Sequence, residues 1–261
     1  MIIFKKELRQ GRISLLVWTL LLTFMMSACV LIYPQMKEQM ESFGESFAQM
    51  GEFSQAFGLD QLNFAGFEDF LGLECSNVMG LMGAMFASLL GIRALVSEEK
   101  EHTAEFLLTH PITRPQVVGE KLLAIAVQVT ILNLAVAAGS LCMTAIVGES
   151  VHTGRILLLF FSYYLMHLQL AFIAFGISAF LRRGSLAMGI GVGAAAYFLN
   201  IISNLIDSLD ILKYLTPMGY TDSAMILHQG KMPAGYLAAG MVLLAAGAAA
   251  ALLKYSKKDI A

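Results

Sequence analysis

A chain of 261 residues is long enough for one large soluble domain or two small ones, but its composition excludes a water-soluble globule. It is 57% hydrophobic and only 14% charged, with a mean hydropathy of +0.71, whereas a soluble domain carries about a quarter charged residues. A net charge of -2 offers no basic face for nucleic acid, and Cys29, Cys75 and Cys142 sit in apolar runs without disulfide or metal-ligand spacing.

A bilayer core of about 30 Å takes roughly 20 helical residues to cross. Six stretches qualify, at 14–33, 71–96, 122–147, 156–181, 185–206 and 234–253. The expected fold is an all-α polytopic membrane protein, one transmembrane domain over 1–261. The first apolar run is too long for a signal h-region and no A-x-A site follows it, so it reads as a retained anchor. Lys and Arg placement orients the spans. With the N-terminus inside, Lys5, Lys6, Arg9, Arg12, Arg93, Lys100, Arg114, Lys121, Arg182, Arg183, Lys254, Lys257 and Lys258 are cytoplasmic, 13 of 17 basic residues. Lys37, Arg155, Lys213 and Lys231 are then outside. Both termini are cytoplasmic in this reading, which requires an even number of spans, as found.

Residues 1–13 place Ile2, Ile3, Phe4 and Leu8 beside four basic residues. That pattern suits an interfacial helix on the inner leaflet, or a short basic flank that sets topology. The extracytoplasmic loop 34–70 is acidic, and Met36, Met40, Phe43, Phe47 and Met50 recur at steps of four and three, the period of an amphipathic helix. Between spans five and six, Leu209, Ile211, Leu212 and Leu215 precede Pro217, and the loop is expected to dip back as short helices. Gly189, Gly191, Gly193 and Ala194–Ala196 read as a close-packing surface.

The cytoplasmic loop 97–121 is the most informative segment. Ser97 followed by Glu98, Glu99 and Glu101 predicts a helix start with an acidic first turn. Pro111 ends that helix near Thr109, after a rod of about 18 Å. Pro115 then opens a second helix that runs through Lys121 into span three. Physics alone allows two readings of the loop: a stiff surface hairpin, or a lever for a motor subunit.

Residues 99–121 resemble the signature of ABC-2 type transporter permeases, through Glu99, Glu101, Thr103, Leu107, Leu108, Pro111, Arg114, Gly119 and Lys121. Leu215-Thr216-Pro217-Met218-Gly219-Tyr220 and the ending Tyr255-Ser256-Lys257-Lys258-Asp259-Ile260 are similar to two further elements of that family. His102 stands where the family often has Gly, and Lys258 where it ends in Arg. The resemblance implies the ABC-2 permease fold and a non-catalytic, multi-pass subunit of an ATP-driven exporter in a bacterial or archaeal cell membrane. It implies two copies of a separate ATPase subunit, which use ATP and Mg, and a second permease half, identical or a sister protein. No G-x-x-x-x-G-K-[ST] occurs in the chain, so no cofactor of its own is expected. In such a protein the coupling helix is Glu98–Thr109, with Glu98, Glu99, Glu101, Thr103, Glu105, Leu107, Leu108, Pro111 and Arg114 as its residues toward the ATPase. Arg114 and Lys121 are expected to pair with nearby acids or with lipid phosphates.

Polar residues inside spans are pathway candidates: Gln128 and Asn133 in span three, His167 and Gln169 in span four, Asn200 and Asn204 in span five. Ordinary interhelical hydrogen bonding uses the same residue types. His167 follows Tyr163 and Tyr164 on a stretch suited to lining a path. No catalytic constellation is present, and His102 and His110 lack a third metal ligand. The alternative to a transporter subunit is an ATPase-independent six-span channel or a membrane scaffold, which would need no docking helix.

Overall fold

A computed structural model of the chain describes residues 1–48, 51–56, 66–100, 113–181, 185–206 and 211–257. In order these form α1 (Ile2–Ala48), α2 (Glu52–Ala56), α3 (Phe67–Glu74), a π-helical segment (Cys75–Gly83) and α4 (Ala84–Lys100). There follow α5 (Arg114–Val147), α6 (Thr153–Ser178), α7 (Leu186–Leu205), α8 (Leu212–Leu215), α9 (Ser223–Gln229) and α10 (Ala234–Lys257). Among the described residues, six helical stretches are long and apolar enough to cross a membrane: Ile2–Lys37, Phe67–Val96, Arg114–Val147, Thr153–Ser178, Leu186–Leu205 and Ala234–Tyr255. Each coincides with one of the six expected spans. The protein is an all-α, six-span membrane bundle.

Two expected boundaries are corrected. Residues 2–13 do not form a separate interfacial element, because α1 runs unbroken for 47 residues through Pro34. At 1.5 Å per residue that is about 70 Å, well beyond the hydrocarbon core. The sequence 1–13 contains a single glycine and no proline, so nothing stops the helix there. Pro34 costs one intrahelical bond, and next to it Tyr33 is fully buried against the rings of Phe67 and Phe70, each 5.0 Å away. The second correction concerns Ser97. It does not start a helix, because α4 passes through it to Lys100. Ser97, Glu98 and Glu99 follow an apolar helix without a Gly or Pro between them, and a helix already under way continues more easily than a new one nucleates.

Other ends follow their local chemistry. Thr113 occupies the N-cap position of α5 and Pro115 stands in its first turn, as the Thr-Arg-Pro sequence predicts. Ser185 caps α7 by accepting from the Met188 amide at 3.2 Å. Asp222 caps α9 by accepting from the Met225 amide at 3.0 Å. Gly148 closes α5 at φ 80°, in the left-handed region that favours glycine.

Span two, composed of α3, the π segment and α4, is the centre of the bundle. Gly189 and Gly193 of α7 lie against the backbone of span two at Leu89 and Ala84, so that a Cβ at either would stand 2.7 Å or less from a main-chain atom. Those two positions form the expected close-packing surface, whereas Gly191 faces open space. Span four closes onto span six in the same way, with Gly176 against Gly247.

Polar and charged contacts gather at the two ends of the bundle. Glu68 binds His152, Lys37 lies 3.8 Å from Glu149, and Asp69 lies 2.9 Å from His228, all positions assigned to one side. At the other end Lys121 pairs with Glu7, Glu120 accepts from the Phe4 amide at 3.0 Å, and Arg114 donates to the Tyr255 carbonyl at 3.1 Å. Every pair joins residues that the topology places at the same end.

Candidate functional site

The polar residues predicted inside the spans separate into two cavities and two interhelical contacts. The first cavity, about 240 Å³, opens at the end of the bundle that carries the 5–6 loop. Asn200 and Asn204 of α7 line it, together with Ser76 and Asn77 of span two. Tyr163 and Tyr197 form more of its wall, and Thr221, Asp222 and Lys213 approach from the 5–6 loop. The Ser76 hydroxyl lies 3.0 Å from the Tyr163 hydroxyl and 3.2 Å from that of Ser223. Tyr163 reaches the Thr221 carbonyl at 3.4 Å, and Ser223 donates to the Gly72 carbonyl at 3.0 Å. Asn204 donates to the Ala56 carbonyl at 3.4 Å, which ties α2 to the rim. The wall therefore mixes hydroxyls, amides and tyrosine rings with apolar residues such as Ile201, Met218 and Met225, with one Lys and one Asp at the loop. Such a surface solvates a polar molecule inside a bundle that otherwise presents hydrocarbon.

Toward the middle of the bundle the floor of this cavity gives way to a fully enclosed contact. His167 is 1% exposed. Its Nε2 lies 2.9 Å from the Met79 carbonyl, and its Nδ1 lies 3.0 Å from the Asn133 side-chain oxygen Oδ1. The Asn133 side-chain nitrogen donates to the Val129 carbonyl at 2.8 Å. Met79 lies in the π segment, and a π segment inside an α-helix commonly marks a functional position. Gly83 closes this segment directly against the imidazole, where any Cβ would collide with the ring. His167 and Asn133 thus join spans two, three and four.

Gln169, the other polar candidate of span four, accepts from the Tyr220 hydroxyl at 2.7 Å. Tyr220 belongs to the Leu-Thr-Pro-Met-Gly-Tyr motif, and Thr216, Met218 and Tyr220 are all buried. The motif therefore plugs the 5–6 loop into the bundle, and its tyrosine docks on span four.

Gln128 faces a second cavity, at the end of the bundle that carries the N-terminus, where Glu7, Ser14 and Arg93 also border it. Beside it Lys121 is completely buried, paired with Glu7 and donating to the Ala94 carbonyl at 2.6 Å. This meets the expectation that Lys121 pairs with a nearby acid.

Of the residues expected to face an ATPase, Glu98 and Glu99 lie in the last described turn of α4. Glu101, Thr103, Glu105, Leu107, Leu108 and Pro111 fall outside the described residues. Arg114 opens α5 and ties it to the end of α10 through the Tyr255 carbonyl. Sequence reasoning missed Ser76, Asn77, Tyr197 and Ser223 at the first cavity. The available signal was Ser-Asn following Glu74 inside an apolar run. All three cysteines are free thiols, and among the described residues no group of three His, Cys, Asp or Glu side chains is placed to hold a metal ion.

Residues 1–220 match the family described as ABC-2 family transporter protein. The chain belongs to the ABC-2 membrane permease family. No curated protein matches it. Members of this family are non-catalytic transmembrane subunits, and this permease is accordingly not an enzyme. The six-span bundle accords with that membership.

Proposed function

We propose that this permease is the membrane half of an ATP-driven exporter in a bacterial or archaeal cell membrane, with both termini cytoplasmic. Hydrolysis is supplied by two copies of a separate ATPase subunit, which bind ATP and Mg. A second six-span half, identical or a sister protein, completes the pathway. The observation that carries this reading is the family match across 1–220, which includes the whole of the charged loop 97–121.

The proposed coupling runs from that loop into the bundle. Span two and span three flank the loop, since α4 leads into it and α5 leads out of it. Force applied between Glu98 and Arg114 therefore acts on the most buried helix of the bundle and on its neighbour. Span two carries Ser76 and Asn77 to the first cavity and Met79 to His167, so a shift of this helix changes the cavity wall. Arg114, anchored to the end of span six, transmits the same displacement to α10. Asn200 and Asn204 would contact cargo, while Asn133, His167 and Gln169 hold the helices together.

Charge reversal at Glu99 and Glu101 tests the coupling segment. The double Lys variant is expected to lose ATPase recruitment and ATP-dependent transport while the permease still accumulates in the membrane. Unchanged recruitment and transport would overturn the assignment.

A further inference from the structure

One wall of the first cavity does not belong to a membrane span. Ala56, the last residue of α2, lines it beside Asn204. α2 has five residues, and a helix that short does not persist in water unaided. It persists here because it is seated on α7 and touches α1. Ser54 and Ala56 are 2% and 4% exposed, whereas Glu52 and Gln55 of the same helix face outward. Gly51, at φ 47° in the left-handed region, turns the chain into α2 with open space beside it.

The seat is fastened at one point and opposed at another. The Asn204 side-chain nitrogen donates to the Ala56 carbonyl at 3.4 Å, which satisfies a helix-end carbonyl that α2 leaves unpaired. That distance is long for such a bond. The Ser54 hydroxyl is buried and has no hydrogen-bond partner among the described residues. Hiding a hydroxyl from water without a partner costs free energy that is recovered when the helix leaves its seat. An element held by one long bond and opposed by an unpaired hydroxyl belongs to the low-stability end of a structure, from which moving parts are drawn.

Asn204 stands in the last turn of α7 and Asn200 one turn deeper, both on the cavity. α2 therefore sits at the mouth, beyond the residues proposed to meet cargo. While it is seated the mouth is narrowed and an N–H of the Asn204 amide is occupied by the Ala56 carbonyl. Lifting α2 releases both at once. We propose that α2 is an outer flap of the first cavity, which unseats to widen the mouth and passes the Asn204 amide from the Ala56 carbonyl to the departing cargo. The outward direction of release rests on the exporter reading, whereas the movement of the flap does not.

The test is the rate at which stilbene-disulfonate maleimide, a bulky charged reagent, modifies a thiol placed in the cavity by Asn200→Cys. The full-length protein is held in lipid nanodiscs, and mass spectrometry of its peptides separates position 200 from the native cysteines. On this background Asn204→Leu removes the donor with little change in volume and should speed modification about fivefold, the scale of one net hydrogen bond. Ser54→Ala removes the unpaired hydroxyl and should slow it by a similar factor, about fivefold. Lys231→Cys, exposed in the 5–6 loop, should react at the same rate with and without either change. Ser54→Ala deletes a single oxygen, so it keeps the test readable if Asn204→Leu fails to fold. Equal rates with and without Ser54→Ala, or slower modification with Asn204→Leu, would overturn the proposal. Opposite shifts in a permease that recruits no ATPase would uphold the flap and remove the exporter reading, and equal rates in a permease that does recruit one would overturn the flap alone.

Discussion

Span two and span six are both apolar helices of sufficient length, yet they do opposite work. Within the most apolar window, 78% of span two is buried inside the bundle, against 11% of span six. Span two includes a nine-residue π-helical stretch, whereas span six is α-helical throughout its 24 residues. The difference follows from what surrounds each helix. Irregular backbone at membrane depth requires partners from protein, because hydrocarbon offers none. Span two has such partners, including His167 on the Met79 carbonyl. Span six faces outward over most of its length and touches span four through Gly247. A helix enclosed by protein can carry polar groups and a changed pitch, and a helix facing lipid must satisfy its own backbone.

Six substitutions probe that contrast, each read as a change in unfolding free energy in detergent. The largest effect is expected for Lys121→Met. Lys121 is fully buried and donates to the Ala94 carbonyl of span two, so its loss leaves Glu7 without its counter-charge and costs about 3–5 kcal/mol. Arg114→Met, which removes a partly exposed donor from the Tyr255 carbonyl of span six, should cost about 1 kcal/mol. Equal losses for the two variants would break the comparison.

Next in size is Gly193→Leu, which forces a side chain into the backbone of span two at Ala84 and should cost about 3 kcal/mol. Gly191→Leu, on the open side of the same helix, should stay within about 0.5 kcal/mol of the parent. His167→Leu strips the Met79 carbonyl and Asn133 of their partner, for about 1–3 kcal/mol. An unchanged melting transition for this variant would show that the π segment does not depend on the imidazole. The smallest effect belongs to span six: Val242→Ala, at a position 67% exposed, should lie within about 0.5 kcal/mol.

The six spans were legible because hydropathy and length are properties of one stretch of sequence at a time. Which span lies at the centre was only partly legible, since a lipid-facing and a protein-facing helix are both apolar. The clue was polar content. Span two carries Ser76, Asn77, Ser88 and Arg93, while 234–253 holds no polar side chain except that of Tyr236. Asn200 and Asn204 were readable as cavity residues, but nothing local announces that Tyr163 and Ser223 meet them there. The Glu7–Lys121 pair spans 114 residues, so it exists only once spans one and three are side by side. The helix start expected at Ser97 failed for a related reason: a capping residue acts only where a helix is beginning, and here one was already under way.

The central claim is that this permease works with a separate ATPase. Purifying the full-length permease from its own membranes in mild detergent, with identification of co-eluting polypeptides and assay of ATP hydrolysis, tests it directly. The account predicts a stoichiometric P-loop ATPase subunit in the complex and ATP hydrolysis that disappears with the Glu99 and Glu101 charge reversals. A permease that elutes free of any ATPase, yet moves its cargo across reconstituted vesicles without ATP, would contradict it.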